Sequence, residues 1–135
     1  MVFTTCYNFV QLARIINYEN FFRIKVSLIQ IYKIVTPVPA RYVQKVIKAM
    51  SEAGAGKIGN YSHCALTTRS IGYFQPEKGA TSFIGKVGQL KVVEEYRIEM
   101  SCPKNKKKAV IAAIRKSHPY EEPVIDVYKL NDVNT

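Results

Sequence analysis

Two rhythms of apolar and polar positions alternate along this chain from Ile31 onward. Ile31-Tyr32-Lys33-Ile34-Val35-Thr36 is a β-branched run stopped by Pro37 and Pro39, and it predicts a strand. Val43, Val46, Ile47 and Met50 then recur at i, i+3, i+4 and i+7, the stripe of an amphipathic helix. That helix is predicted from about Pro39, which suits a first turn, to Ala53, with Gly54 as its stop. Ser62 to Tyr73 reads as the next strand and Val92 to Met100 as a third. Pro103 opens a second helix whose apolar face is Val110, Ile111 and Ile114, His118-Pro119 closes it, and Val124 to Leu130 is the fourth strand.

The second passage repeats the first at a constant offset. Pro39 and Pro103, Val46 and Val110, Ile47 and Ile111, and Ala49 and Ala113 are identical pairs 64 positions apart. The order is therefore β-α-β-β-α-β, two copies of one unit. Right-handed β-α-β connections fused in pairs give a four-stranded antiparallel sheet with both helices on one face, an α+β, ferredoxin-like sandwich over residues 31–130. Its other face is expected to be bare and to expose Val92, Val93, Ile98 and Met100, which argues for self-association. Residues 1–30 carry no Gly, Pro or clean period and are read as an N-terminal extension; residues 131–135 are a tail. The extension is acid-poor, with Arg14, Arg23 and Lys25, but it is not Ser-rich and lacks a small-residue cleavage site.

Composition narrows the class. A chain of 135 residues fits one domain, and no apolar run approaches the roughly 20 residues of a membrane helix, so no membrane span is expected. The 3 cysteines, Cys6, Cys64 and Cys102, are odd in number and unpaired in spacing, which favours a reducing, cytoplasmic setting over a disulfide framework. The net charge of +10 is dispersed except at Lys104-Asn105-Lys106-Lys107-Lys108. That run attracts phosphate or is the solvated first turn of a helix; without interleaved aromatics it offers no base-stacking surface, and no nucleic-acid partner is expected.

Gly54-Ala55-Gly56-Lys57-Ile58-Gly59 has the spacing of a dinucleotide loop, but it follows a helix instead of preceding one. It meets the carbonyl end of the helix, where the dipole favours cations and glycine is the usual left-handed cap. Lys57 is followed by Ile58, not by the Ser or Thr that would hold magnesium. The loop is read as a cap running into a tight strand entry, with Gly59-Asn60 able to form a small backbone nest.

Gly54-Ala55-Gly56-Lys57-Ile58-Gly59-Asn60-Tyr61 with Cys64, then Gly72, Phe74, Pro76 and Gly79, Ile84-Gly85 and Gly88, Arg97-Ile98-Glu99, and His118-Pro119-Tyr120-Glu121-Glu122-Pro123 with Asp126 and Tyr128 resemble the module inserted in proteins of the Nif-three (YqfO) family. The ending His118-Pro119-Tyr120-Glu121 is also similar to that of the CutA divalent-ion tolerance proteins. The resemblance implies a CutA/PII-like fold, a trimer, and the stand-alone module of the family. Full-length members carry a two-metal domain rich in His and acidic ligands; with only His63 and His118 here, the hydrolase-like activity attached to the family is not expected.

The function these readings imply is a small, oligomeric, cytoplasmic binding or regulatory module. Its small ligand or protein partner is expected at clefts between subunits, where Gly56, Lys57, Gly59, Asn60 and Tyr61 approach His118, Tyr120 and Glu121. The alternative is binding of divalent copper or zinc, the one cofactor considered, through His63, Cys64 and His118. Adjacent strand residues point to opposite faces, so a core-facing Cys64 would leave His63 outside. His118, at a helix end, is explained by a cation–dipole interaction and a backbone hydrogen bond. Glu121 and Glu122 could act as acid and base, meet Lys57 across a subunit contact, or be solvated. No Ser-His-Asp or Cys-His signature assigns a catalytic residue.

Overall fold

The computed structural model describes residues 30–131, so the extension read over residues 1–30 and the tail over 131–135 fall, but for their boundary residues, outside the described residues. The β-branched run forms β1, Ile31–Pro39, and the 3.6-residue stripe forms α1, Val43–Glu52, joined by a 3-10 turn, Ala40–Tyr42. The second unit repeats this placement to the residue. β3, Lys91–Pro103, leads through a 3-10 turn, Lys104–Lys106, into α2, Lys107–Ser117. Both prolines close their strands instead of opening the helices: Pro39 (φ −56, ψ 140) and Pro103 (φ −69, ψ 147) stay extended, a conformation their rings fix readily. α2 stops where predicted, because a residue before proline avoids the helical region, and His118 is extended at φ −73, ψ 141.

β2, Ala65–Phe74, starts later than the sequence suggests, since His63 at φ 58 is left-handed and cannot continue a strand. β4, Asp126–Lys129, is shorter than predicted; upstream of it the Val124 carbonyl accepts from Thr36 Oγ1 at 2.7 Å instead of joining the ladder. The sheet order is β2-β3-β1-β4, all antiparallel. This is the ferredoxin-like arrangement expected from the duplicated unit.

The core lies between the sheet and the two helices. Ile34 and Val38 from β1, Val46 and Met50 from α1, Ile98, Met100 and Cys102 from β3, and Val110 and Ile114 from α2 are all fully buried there. The register corrects the sequence reading of the bare face. Ile98 and Met100 pair with Thr36 and Ile34 and point to the helices, not away from them. By alternation, the face away from the helices carries Lys33, Val35, Glu95, Arg97, Glu99 and Ser101; Val35 and Glu95 are buried, and Arg97 Nε donates to Glu99 Oε1 at 2.9 Å. Val92 lies on the helix side, yet it is exposed because the β2–β3 ribbon runs on past the helices, as do Ile71 and Tyr73. No helix among the described residues is long and apolar enough to cross a membrane.

Candidate functional site

The glycine-rich loop is used up by folding. Gly54 (φ 110) sits just past α1; its N–H donates to the Ser51 carbonyl at 2.9 Å and the Ala55 N–H to that of Met50 at 3.0 Å, the paired bonds of a Schellman cap. Gly56 (φ 67) donates its N–H to the Ser101 carbonyl at 2.8 Å and accepts from the Cys64 N–H at 2.9 Å. Ile58 and Tyr61 exchange both backbone bonds at 2.9 Å around Gly59-Asn60, a two-residue turn with Gly59 at φ 54. The amides of Gly56, Ile58 and Tyr61 are therefore committed to carbonyls and do not point at a ligand. Lys57, Gly59, Asn60 and Tyr61 are exposed.

His118, Tyr120 and Glu121 lie elsewhere. Gly56 is tied to Ser101 and Tyr120 to Glu95, six residues away along β3, roughly 20 Å at about 3.3 Å per residue. The two halves of the sequence-predicted ligand set do not meet within one chain. Nor do the three candidate metal ligands: no group of three or more His, Cys, Asp or Glu side chains suited to an ion occurs among the described residues. His63 and Cys64 sit in a bend instead of a strand, so the opposite-face argument does not apply; His63 is exposed and Cys64 half-buried.

His118 is buried and fully bonded. Its Nε2–H donates to the Pro37 carbonyl at 2.8 Å, and Nδ1 accepts the Tyr120 N–H at 3.0 Å. Accepting at one nitrogen and donating at the other requires the neutral ring. Burial holds its pKa below the ordinary value, against the opposing pull of the Pro37 carbonyl and Glu95. The backbone bond is as expected, whereas the cation–dipole reading is overturned. A buried neutral histidine must charge on unfolding in acid, so the unfolded chain binds the extra proton first. Stability is accordingly full above about pH 6.5 and falls as pH drops through that value toward the lowered native pKa. Urea midpoints measured from pH 8 to pH 5 should show this fall, and His118→Gln should flatten it; an unchanged slope in the variant would contradict the assignment.

The segment from His118 to Val124 runs along the edge of β1 that β4 leaves open, which carries Tyr120 to the end of the sheet. There its hydroxyl donates to Glu95 Oε1 at 2.8 Å. Burial first, and then Glu95, push the phenol pKa well above its usual value, so Tyr120 remains a donor. Glu121 Oε2 accepts the Thr81 N–H at 2.9 Å, tying this segment to the loop after β2. Rings link the same pieces: Phe83 lies 6.1 Å from Tyr120 and 6.0 Å from Tyr42, and Phe74 lies 6.1 Å from Tyr120.

Between them is a cavity of about 340 Å³. Its walls include Pro37, Phe74, Phe83, Tyr120 and Val124, and its acidic groups are Glu95, Glu121 and Glu122. Glu95 is only 5 % exposed, and Gly72 opposite it has no room for a Cβ beside the carboxylate. Of these residues the sequence pointed to Tyr120 and Glu121 and missed Glu95, Pro37 and Phe83. Parity gave no signal: Glu95 shares the face of Arg97 and Glu99 and is buried there by contact with the distant Tyr120 segment.

No family model matches the chain. Among curated proteins it is similar to the GTP cyclohydrolase 1 type 2 homologs of Halalkalibacterium halodurans, 48% identical over 100 residues covering 74% of this chain and 27% of that protein. The Bacillus subtilis protein of the same name is 51% identical over 96 residues, 71% of this chain and 26% of that one. The chain thus spans about a quarter of the length of these relatives. Among solved structures, a Bacillus cereus protein related to NIF3 superposes with TM-score 0.68 at 42% identity over 77% of this chain and 26% of that one. CutA1 from Pyrococcus horikoshii superposes with TM-score 0.58 at 18% identity over 76% of this chain and 86% of that one, a likeness of fold.

Proposed function

The chain belongs to the Nif-three (YqfO) family, matching a segment about a quarter as long as its curated relatives, and from that premise we propose that it is a binding and regulatory module taking a small ligand at the cavity beside Glu95 and Tyr120. One observation carries the reading: a cavity of about 340 Å³, within the range of small-molecule sites, converges on a carboxylate that is only 5 % exposed. Apolar walls with a few placed polar groups bind and orient a ligand, and the loop from Gln75 to Leu90 that covers them couples occupancy to the outer surface.

The proposal includes self-association as a trimer in the reducing cytoplasm. It is supported by the apolar residues left uncovered, Leu66 and Tyr128 on the open face and Ile71, Tyr73 and Val92 on the projecting ribbon. Cys64 and Cys102, both free thiols, suit that compartment. In a trimer the exposed turn at Lys57–Tyr61 of one chain can reach the His118–Glu122 segment of the next, the encounter that does not occur within a chain. Light scattering on the purified protein tests this: the expected mass is three times the chain's 15.3 kDa, and a single-chain mass at micromolar concentration would overturn the assembly. A fragment screen read by amide chemical shifts tests the site itself, with changes expected at Gly72, Glu95 and Tyr120. A screen whose hits all avoid those residues would sink it.

A further inference from the structure

Resting on the cavity as a ligand site, we infer that its ligand is an organic cation, a primary ammonium or guanidinium carried on an apolar body. The charge balance of the chain makes the site unusual. The protein carries 20 Lys and Arg against 10 Asp and Glu, yet no Lys, Arg or His lines this cavity and three glutamates do. Glu95 is the deepest of them. Among the described residues Glu52, Glu94, Glu99 and Glu122 each have a basic partner; Glu77, Glu95, Glu121 and Asp126 have none, and of these four only Glu95 is buried.

Its bonding is half complete. Oε1 accepts the Tyr120 hydroxyl at 2.8 Å. No buried side-chain oxygen or nitrogen among the described residues lacks a partner, so Oε2, which receives no side-chain donor, keeps some exposure; it packs beside Gly72, and both residues line the cavity. A carboxylate brought this far from water is stabilised by a cation that hydrogen-bonds it, and a free oxygen facing a cavity is where such a donor would land.

The walls suit the rest of the molecule. Phe74, Phe83, Tyr73 and Tyr120 offer ring faces and edges, and aromatic faces attract ammonium and guanidinium groups when water is excluded. The protein already uses this contact on the outer side of the same cluster, where the Arg41 guanidinium lies 5.3 Å from the Phe83 ring centre. An anionic ligand would meet the Glu95 and Glu121 carboxylates, neither of which has a basic partner, and no base in the lining. A neutral ligand would leave Oε2 with an uncharged donor at best. The body size follows from the volume, about 340 Å³, room for on the order of ten water molecules.

The test titrates benzylammonium, benzyl alcohol and benzoate into the ¹⁵N-labelled full chain. Benzylammonium should bind at least about tenfold more tightly than benzyl alcohol, with saturable shifts at Gly72, Glu95 and Tyr120, and benzoate should not bind. Glu95→Gln should reduce that preference to within about twofold, while Glu94→Gln, outside the cavity, exposed and paired with Arg69, should keep it. Equal affinity for the alcohol, or preference for benzoate at the same residues, would overturn the cation and leave the cavity as a binding site. No saturable shift there with any probe would remove both. If Glu95→Gln does not fold, the ranking of the three probes on the wild-type chain decides alone. A drop in solution mass on adding benzylammonium would mean that a Lys or Arg of a second copy normally supplies the cation; an unchanged mass would assign a free one.

Discussion

Gly56→Ala should lose about 3–4 kcal/mol of unfolding free energy, with Gly59→Ala losing about 1 kcal/mol, when urea transitions of the variants are compared at pH 7. Both glycines are left-handed, at φ 67 and φ 54, so both alanines bear the conformational cost of about 1–2 kcal/mol. They differ in what the new methyl meets. At Gly59 there is open space, whereas at Gly56 it would lie 2.8 Å from the Cys64 carbonyl oxygen and 3.0 Å from the Cys64 nitrogen and press on Met100 in the core. Backbone cannot swing aside as a side chain can, and the bonds that hold it, Gly56 to Ser101 and Cys64 to Gly56, would have to shift with it. Equal losses at the two positions would mean that the close approach does not constrain the loop. The comparison also answers what the glycine spacing is for: two of these glycines serve the cap and the strand entry, and the third makes a turn.

The fold was legible because its signals are local and occur twice. Each helix has its own stripe, its own preceding proline and its own stop, and the offset of 64 residues between Pro39 and Pro103 reappears between the starts of α1 and α2 at Val43 and Lys107. Placing the second strands and the capping role of Gly54 required only neighbouring residues. The cavity is different in kind. The contacts that build it join Thr36 to Val124, Pro37 to His118, Thr81 to Glu121 and Glu95 to Tyr120, separations of 88, 81, 40 and 25 residues. No periodicity records such pairs. Tyr120 and Glu121 stood out through the motif His118-Pro119-Tyr120-Glu121-Glu122-Pro123, while Glu95 looked like any surface glutamate beside Glu94. Likewise, His63, Cys64 and His118 form no cluster among the described residues, and His118 has its two nitrogens engaged by Pro37 and Tyr120, which no spacing in the sequence announces.

Ile98→Ala separates the two accounts of the sheet. A strand that put Val92, Val93, Ile98 and Met100 together on an uncovered face would break alternation, because Val93 has the opposite parity to the other three. Parity alone does not say which set the helices cover; the pairing of Ile98 with Thr36 and of Met100 with Ile34 does. Ile98 is fully buried in the cluster that joins both strands to both helices, so truncating it removes three carbons from a site that has no solvent to refill it. The expected cost is about 2–5 kcal/mol, a large fraction of the roughly 5–15 kcal/mol that holds a small domain folded, and the urea transition should move accordingly. Leu66→Ala, at 62% exposure on the open face, should change the transition by less than about 1 kcal/mol while lowering the solution mass, if that face holds sister chains together. The opposite pattern, a stable Ile98→Ala that dissociates beside a Leu66→Ala that unfolds, would put Ile98 back on the outer surface and reverse the assignment of the two faces.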